Sequence, residues 1–351
     1  MDKTIALLPG DGIGPEVMKE AVKILDYFRS EGLALSCETL NWNSDFYLQH
    51  GIMMPEDGLE QLSRFDAILF GAIGDKRVPD EIPIWELIMP IRKSFQQCVN
   101  FRPVKLLKGL SSPLKNVENL DFVIIRENAE GEYSNIGGRM FNGEDRELAV
   151  QNTVMTRQGI SQVVQYAFEY AKENGYDKVT SATKSNAIIH VMKFWDEVAK
   201  QVSNQYEDIK YEEIYIDALA AFFVMKPQSF QVVVSSNLFG DILSDLGSAL
   251  VGGLGVAPSA NINPTKEYPS MFEPVHGSAP DIAGKGIANP VAQIWSLSLM
   301  LDHLGYREES RRVMDAIEQV LQAGESLTPD LGGEGTTEEL GNAILAYLRK
   351  T

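Results

Sequence analysis

An α/β fold is what this sequence predicts, and three observations carry the expectation. Short apolar runs recur at Ile5–Leu8, Ala67–Phe70, Phe122–Ile125 and Gln231–Val234. They are of strand length and rich in Ile, Val and Leu, as strands buried on both faces are. Longer segments of helical period separate them, and such alternation marks sheets covered by helices. A length of 351 residues corresponds to about two domains. No internal repeat or low-complexity linker interrupts the chain, so the domains are expected to interleave.

In order along the chain, Ile5–Leu8 is the first strand and stops at Pro9-Gly10. The helix after it has Val17, Ala21, Ile24, Leu25 and Phe28 at helical spacing. Pro15 suits its first turn, where no N–H is needed. The joining turn, Gly10-Asp11-Gly12-Ile13-Gly14-Pro15, stands where a dinucleotide fingerprint would stand. That fingerprint needs glycine where Pro15 is, so the turn reads as a plain tight turn or as another kind of ligand loop at a strand's carboxyl end. Ala67–Phe70 and Phe122–Ile125 are the next strands. Lys178–Ser181 then precedes a helix marked by Ile188, Met192, Trp195, Ala199 and Val202, and Gln231–Ser235 leads into the segment Asn237–Asp245.

Thirty-one Lys and Arg against 49 Asp and Glu leave a net charge of −18. Such a surface repels nucleic acid and anionic lipid, and no basic run offsets it. No stretch approaches the ~20 apolar residues of a membrane span, and Thr4–Leu8 is too short for the apolar part of a signal peptide. Cys37 and Cys98 form no Cys-x-x-Cys pair, which argues against a disulfide scaffold or zinc site and for a reducing cytoplasm.

The segment from Glu273 to Pro290 has one His, one Asp and several Gly and Pro. Loops of this length inside compact domains are usually functional, and their N–H groups can face phosphate. If it holds a dinucleotide, Asp281 favours NAD, because a carboxylate accepts ribose hydroxyls and repels a 2′-phosphate. Asp241 and Asp245 share one helix face at a spacing of four. They read either as a solvated acidic face or as oxygen ligands for Mg²⁺ or Mn²⁺. The apolar neighbours Ile242, Leu243, Leu246 and Leu250 leave little exposed face and favour the second reading. Arg92, Arg102 and Arg126 adjoin buried-looking segments, and arginine forks match carboxylates; each by itself reads more readily as a surface arginine, and spacing does not bring them together. Lys184 is a candidate base and Tyr133 a candidate acid, without further support from spacing.

At these residues the chain resembles the β-decarboxylating dehydrogenases, the family of isocitrate, 3-isopropylmalate, homoisocitrate and tartrate/D-malate dehydrogenases. The resemblance runs through LLPGDGIGPE (7–16), VNFRPV (99–104), IRENAEGEYSNIGGR (125–139), TKSN (183–186), SNLFGDILSDL (236–246) and EPVHGSAPDIAGKGIANP (273–290). It implies an isopropylmalate-dehydrogenase-like fold: two α/β domains sharing a large mixed sheet, with a non-Rossmann NAD site. The first, NAD-binding domain would comprise 1–98 plus 255–351. The second, 99–254, would carry substrate and metal residues and the dimer interface. The resemblance assigns Arg92, Arg102 and Arg126 to the substrate carboxylates, and Asp241 and Asp245 to a divalent metal with Asp217 from the partner subunit. Lys184, also from the partner, would take the C2 hydroxyl proton, and Tyr133 would protonate the enolate carbon. His276, Gly277, Ser278, Ala279, Asp281, Ile282 and Asn289 would contact NAD. K⁺ is implied as a further activator.

Within the family, the segment before Arg92 reads the substrate's variable group. Glu86 and Ile88 are poor hosts for the third carboxylate of isocitrate. Trp85, RENAEGEYSNIGGRMF and APSANINP (257–264) resemble the tartrate/D-malate branch, while Ile88 keeps 3-isopropylmalate as an alternative. The expectation is a cytoplasmic homodimer with shared active sites, oxidising and decarboxylating D-malate or tartrate with NAD and Mg²⁺ or Mn²⁺. A tartrate decarboxylase without net oxidation is the second alternative.

Overall fold

Strand and helix alternate in the computed structural model, which describes residues 2–350. The strands are β1 (Lys3–Gly10), β2 (Leu35–Thr39), β3 (Ala67–Ala72), β4 (Val99–Lys105), β5 (Asp121–Glu127), β6 (Gly137–Met140), β7 (Leu148–Gln151), β8 (Lys178–Thr183), β9 (Lys210–Tyr215), β10 (Val232–Ser235), β11 (Pro258–Ile262) and β12 (Ser270–Pro274). The apolar runs read from the sequence form the bodies of β1, β3, β5 and β10, with Gln231 just ahead of β10. The chain divides into two compact units, one of Met1–Gln97, Arg102–Leu120 and Gly247–Thr351, the other of Cys98–Phe101 and Asp121–Leu246.

In the first unit β1 runs parallel to β2 on one side and β3 on the other, β12 is parallel to β3, and β11 is antiparallel to β12. The sheet is therefore mixed. Ile5, Ala6, Leu8, Ile68, Leu69 and Phe70 are fully or almost fully buried, which is why these strands read as continuous apolar runs rather than alternating ones. Residues 102–120 belong to this unit: Leu106 N–H bonds Leu120 O, and Lys105 and Lys108 both pair with Glu318. The helix Gly14–Ser30 buries Val17, Ala21, Ile24, Leu25 and Phe28, with Pro15 in its first turn.

The second unit has a parallel sheet in the order β5, β10, β8, β9 and a separate antiparallel pair, β6 and β7, exposed throughout. The helix Val191–Ser203 buries Met192, Trp195, Ala199 and Val202. Ile188 precedes it and is 41% exposed, so the apolar repeat overran the helix start by one turn.

Candidate active site

In the second unit the register pairs Ser235 of β10 with Arg126 of β5. Arg126 therefore ends its strand beside the start of the helix Asn237–Leu250. Its guanidinium is 2% exposed and fixed from two directions. Nε and Nη2 donate to Asn237 Oδ1 at 3.2 and 2.7 Å, and Nη1 donates to Asp241 Oδ1 at 2.6 Å. The Tyr133 hydroxyl donates to the other oxygen, Asp241 Oδ2, at 3.0 Å, and the Arg126 guanidinium lies 5.7 Å from the Tyr133 ring centre. A candidate carboxylate binder and proton donor seven residues apart, and a metal ligand more than 100 residues further on, are thus brought together.

Gly240 makes room for this arrangement. A Cβ there would lie 2.5 Å from Arg126 Cγ and 2.6 Å from Arg126 Cβ. Asp245 is exposed one turn beyond Asp241, and Ile242 beside it is 55% exposed. The expectation that apolar neighbours leave this helix little open face is therefore corrected: Leu243 and Leu250 are buried, while Ile242 and Asp245 share an accessible one. Next to Arg126, Glu127 is buried and accepts the N–H groups of Ala129 and Glu130. Burial pushes its carboxyl up to about 7, against those two N–H groups, which favour the charged form.

Lys184 follows β8, and Asp217 opens the helix Ile216–Met225 that follows β9. The parallel neighbours β8 and β9 bring them together, with Lys184 Nζ 2.7 Å from Asp217 Oδ1. Asp217 is 69% exposed, and the lysine's hydrogen bond lowers its carboxyl pKa. Among the described residues no three His, Cys, Asp or Glu side chains of one chain converge as a metal site. Asp217 faces Lys184, while Asp241 and Asp245 lie together on another helix.

In the first unit the two glycine-rich segments meet. Ile13 N–H bonds Ser278 O at 2.9 Å, and Gly12, at φ 58°, has no room for a Cβ against the same carbonyl. Ile282 packs on Ile13, Val17 and Ala288. Asp281 and Gly277 are exposed, and Ala279 is held at φ 40°, a conformation an L side chain seldom adopts. His276 sets Nδ1 against Gly277 O at 3.0 Å, while its Nε2 is buried without a partner; desolvation lowers its pKa. Asn289 uses its amide on Asp330 and on the N–H of Val291.

Arg92 pairs with Glu273, Nη2 to Oε1 at 2.9 Å, both 11% exposed, and its Nε is buried without a partner. Trp85 and Ile88 lie on one π-helical turn, Ile84–Ile88, closed by Met89 N–H to Ile84 O, and the Lys93 ammonium sits 5.4 Å from the Trp85 ring. Such turns collect at functional sites. Arg102 belongs to β4 and is 8% exposed.

The isocitrate/isopropylmalate dehydrogenase family matches residues 4–344. The chain belongs to that family. A probable tartrate dehydrogenase/decarboxylase of Bacillus subtilis (strain 168) is 52% identical over 349 residues, 99% of this chain and 98% of that protein. The D-malate dehydrogenase [decarboxylating] of Escherichia coli (strain K12) is 48% identical, covering 97% of each. The crystal structure of isocitrate dehydrogenase from Methylococcus capsulatus superposes with a TM-score of 0.91 at 33% identity, covering 99% of both chains.

Sequence reasoning about this family member missed four residues at the candidate site. Asn237 holds Arg126, and Glu127 ties the loop after β5. Glu273 holds Arg92. Asp11, 8% exposed, accepts from Ser44 N, Ser44 Oγ and Gly74 N at 3.0, 2.6 and 3.0 Å, so it joins the turn after β1 to the segment after β3. Only Asp11 had a sequence signal, an acid between two glycines of a turn.

Proposed function

We propose that this chain catalyses NAD- and divalent-metal-dependent oxidative decarboxylation of a small 2-hydroxy dicarboxylate, D-malate or tartrate, as a homodimer. The contact of Arg126, Asp241 and Tyr133 carries the reading, since it joins an anion binder, a hard oxygen ligand and a proton donor. The names of the relatives, tartrate dehydrogenase/decarboxylase and D-malate dehydrogenase, support the substrate class.

Arg92, Arg102 and Arg126 hold the substrate carboxylates; the unpartnered Nε of Arg92 is a donor of the kind a carboxylate takes. Lys184, in its neutral form, accepts the C2 hydroxyl proton as the breaking C2–H bond passes its hydride on. When bound, NAD would supply the hydride acceptor, and a divalent metal held by Asp217, Asp241 and Asp245 would supply Lewis acidity. After CO₂ leaves, Tyr133 delivers its proton to the carbon that lost it. Asp217, Asp241 and Asp245 offer only carboxylate oxygens, a donor set that fits Mg²⁺ or Mn²⁺. A second copy contributes Lys184 and Asp217 together, a reading supported by their contact within one chain. Ile188, Ile189, Val224, Met225 and Ile242 are each exposed, apolar side chains of the kind such a dimer would cover. His276, Gly277, Ser278, Ala279, Asp281, Ile282 and Asn289 bind NAD, with the Asp281 carboxylate selecting against a 2′-phosphate. Trp85 and Ile88 read the group at C3, and K⁺ serves as activator.

NADH formation with NAD, Mn²⁺ and K⁺ on D-malate, L-tartrate, 3-isopropylmalate and isocitrate tests the proposal. A kcat/KM led by D-malate or tartrate is expected. A lead by 3-isopropylmalate would assign leucine-pathway chemistry instead, and CO₂ release without NADH would assign a decarboxylase. Turnover of none of the four refutes the reading.

A further inference from the structure

Glu132 immediately precedes Tyr133, and its carboxylate is seated on the first turn of the helix Asn237–Leu250. Oε1 accepts from the Ser236 hydroxyl and Oε2 from the Leu238 N–H, both at 3.0 Å. Leu238 N–H is one of the donors a helix leaves without an internal acceptor, and a carboxylate there gains from the helix dipole as well. One turn along, the same helix presents Asp241 to the Tyr133 hydroxyl at 3.0 Å. The dipeptide Glu132-Tyr133 is therefore attached to one helix at two points. The chain enters it through Gly131, at φ 79°, whose N–H and carbonyl both bond Val154.

We infer that Glu132 is a positioning residue that aims the Tyr133 phenol by anchoring its loop to the helix that carries Asp241. It acts on one step: the phenol O–H breaks, a C–H bond forms at the carbon vacated by CO₂, and the phenolate regains a proton from solvent. The inference rests on the function proposed above, in which Tyr133 is the proton donor.

A double-substitution cycle on the full-length enzyme, with NAD, Mn²⁺ and the best substrate, separates this role from a merely structural one. Glu132→Ala is expected to lower kcat at least tenfold while leaving the KM for NAD unchanged. On a Tyr133→Phe background the same substitution should change the residual kcat less than twofold, because no phenol remains to be aimed. Glu132→Gln keeps an acceptor for Leu238 N–H and should retain at least a third of kcat. If Glu132→Ala does not fold, Glu132→Gln and Ser236→Ala are carried through the same cycle, with smaller losses that again vanish beside Tyr133→Phe. Equal fold-losses in both backgrounds overturn the inference and leave the proposed function standing. A wild-type protein inactive on all four substrates overturns both.

Discussion

Gly240→Ala tests the arrangement around Arg126 with a prediction of sign. Gly240 lies in the interior of the helix Asn237–Leu250, and at an open position of that kind alanine stabilises by about 0.8–1 kcal/mol over glycine. Here the added methyl would lie 2.5 Å from Arg126 Cγ, 2.6 Å from Arg126 Cβ and 2.7 Å from Ser235 Oγ. The arginine atoms are the root of the side chain, held by β5, so rotating its far end does not relieve the contact. Overpacking of this sort costs roughly 1–3 kcal/mol. Adding the displacement of hydrogen bonds to Asn237 and Asp241, each about 1.5–3 kcal/mol where a charged group is involved, the penalty exceeds the helix gain. The expected result is a lower thermal midpoint by several degrees and a kcat/KM for D-malate reduced at least tenfold, equivalent to about 1.4 kcal/mol. Differential scanning fluorimetry and initial rates read both. A protein made more stable by about 1 kcal/mol with unchanged kcat/KM would mean that Gly240 is an ordinary helix position, and the packing argument would fail.

Asn237→Leu removes the acceptor for two Arg126 N–H groups; kcat/KM for the dicarboxylate should drop tenfold or more with the NAD KM unmoved, checked by steady-state kinetics. Glu127 gives a pH signature. Its folded carboxyl titrates near 7 against an ordinary 4.5, so as pH rises the unfolded chain loses this proton first and stability is lost between about 4.5 and 7. The 2.5-unit difference corresponds to ~3 kcal/mol at 1.36 kcal/mol per unit. Urea denaturation at pH 5 and pH 8 should show Glu127→Gln gaining on wild type by an amount of that order at the higher pH; a constant difference between the two proteins would refute the assignment. Asp11→Ala leaves the buried Ser44 and the Gly74 N–H without their acceptor. A stability loss of about 1–3 kcal/mol and a raised NAD dissociation constant are expected from melting and NAD titration.

Much of the architecture was readable because it is written in local pattern. The four apolar runs became strands since a strand buried on both faces needs consecutive large aliphatic residues, and Pro15 sits in a first helical turn because its fixed φ suits that position. The helix repeat beginning at Ile188 was misread by one turn, because exposed apolar residues continue the period without belonging to the buried face. The π turn at Ile84–Ile88 was not readable at all: i+5 hydrogen bonding shifts the register by one residue and has no compositional mark.

The sequence by itself determined the central strands and the helices with a clear apolar repeat, the acidic composition and the residue types of the candidate chemistry. The family motifs added roles for Lys184, Tyr133 and the three arginines as expectations. Only the tertiary structure decided which of those groups touch. Arg126, Tyr133 and Asp241 meet because parallel pairing of β5 with β10 sets the end of one strand beside the helix that follows the other, and pairing of β8 with β9 does the same for Lys184 and Asp217. Asn237, Glu132 and Glu273 became legible only there, since such polar groups are identified by their partners, and those partners lie far away in the chain.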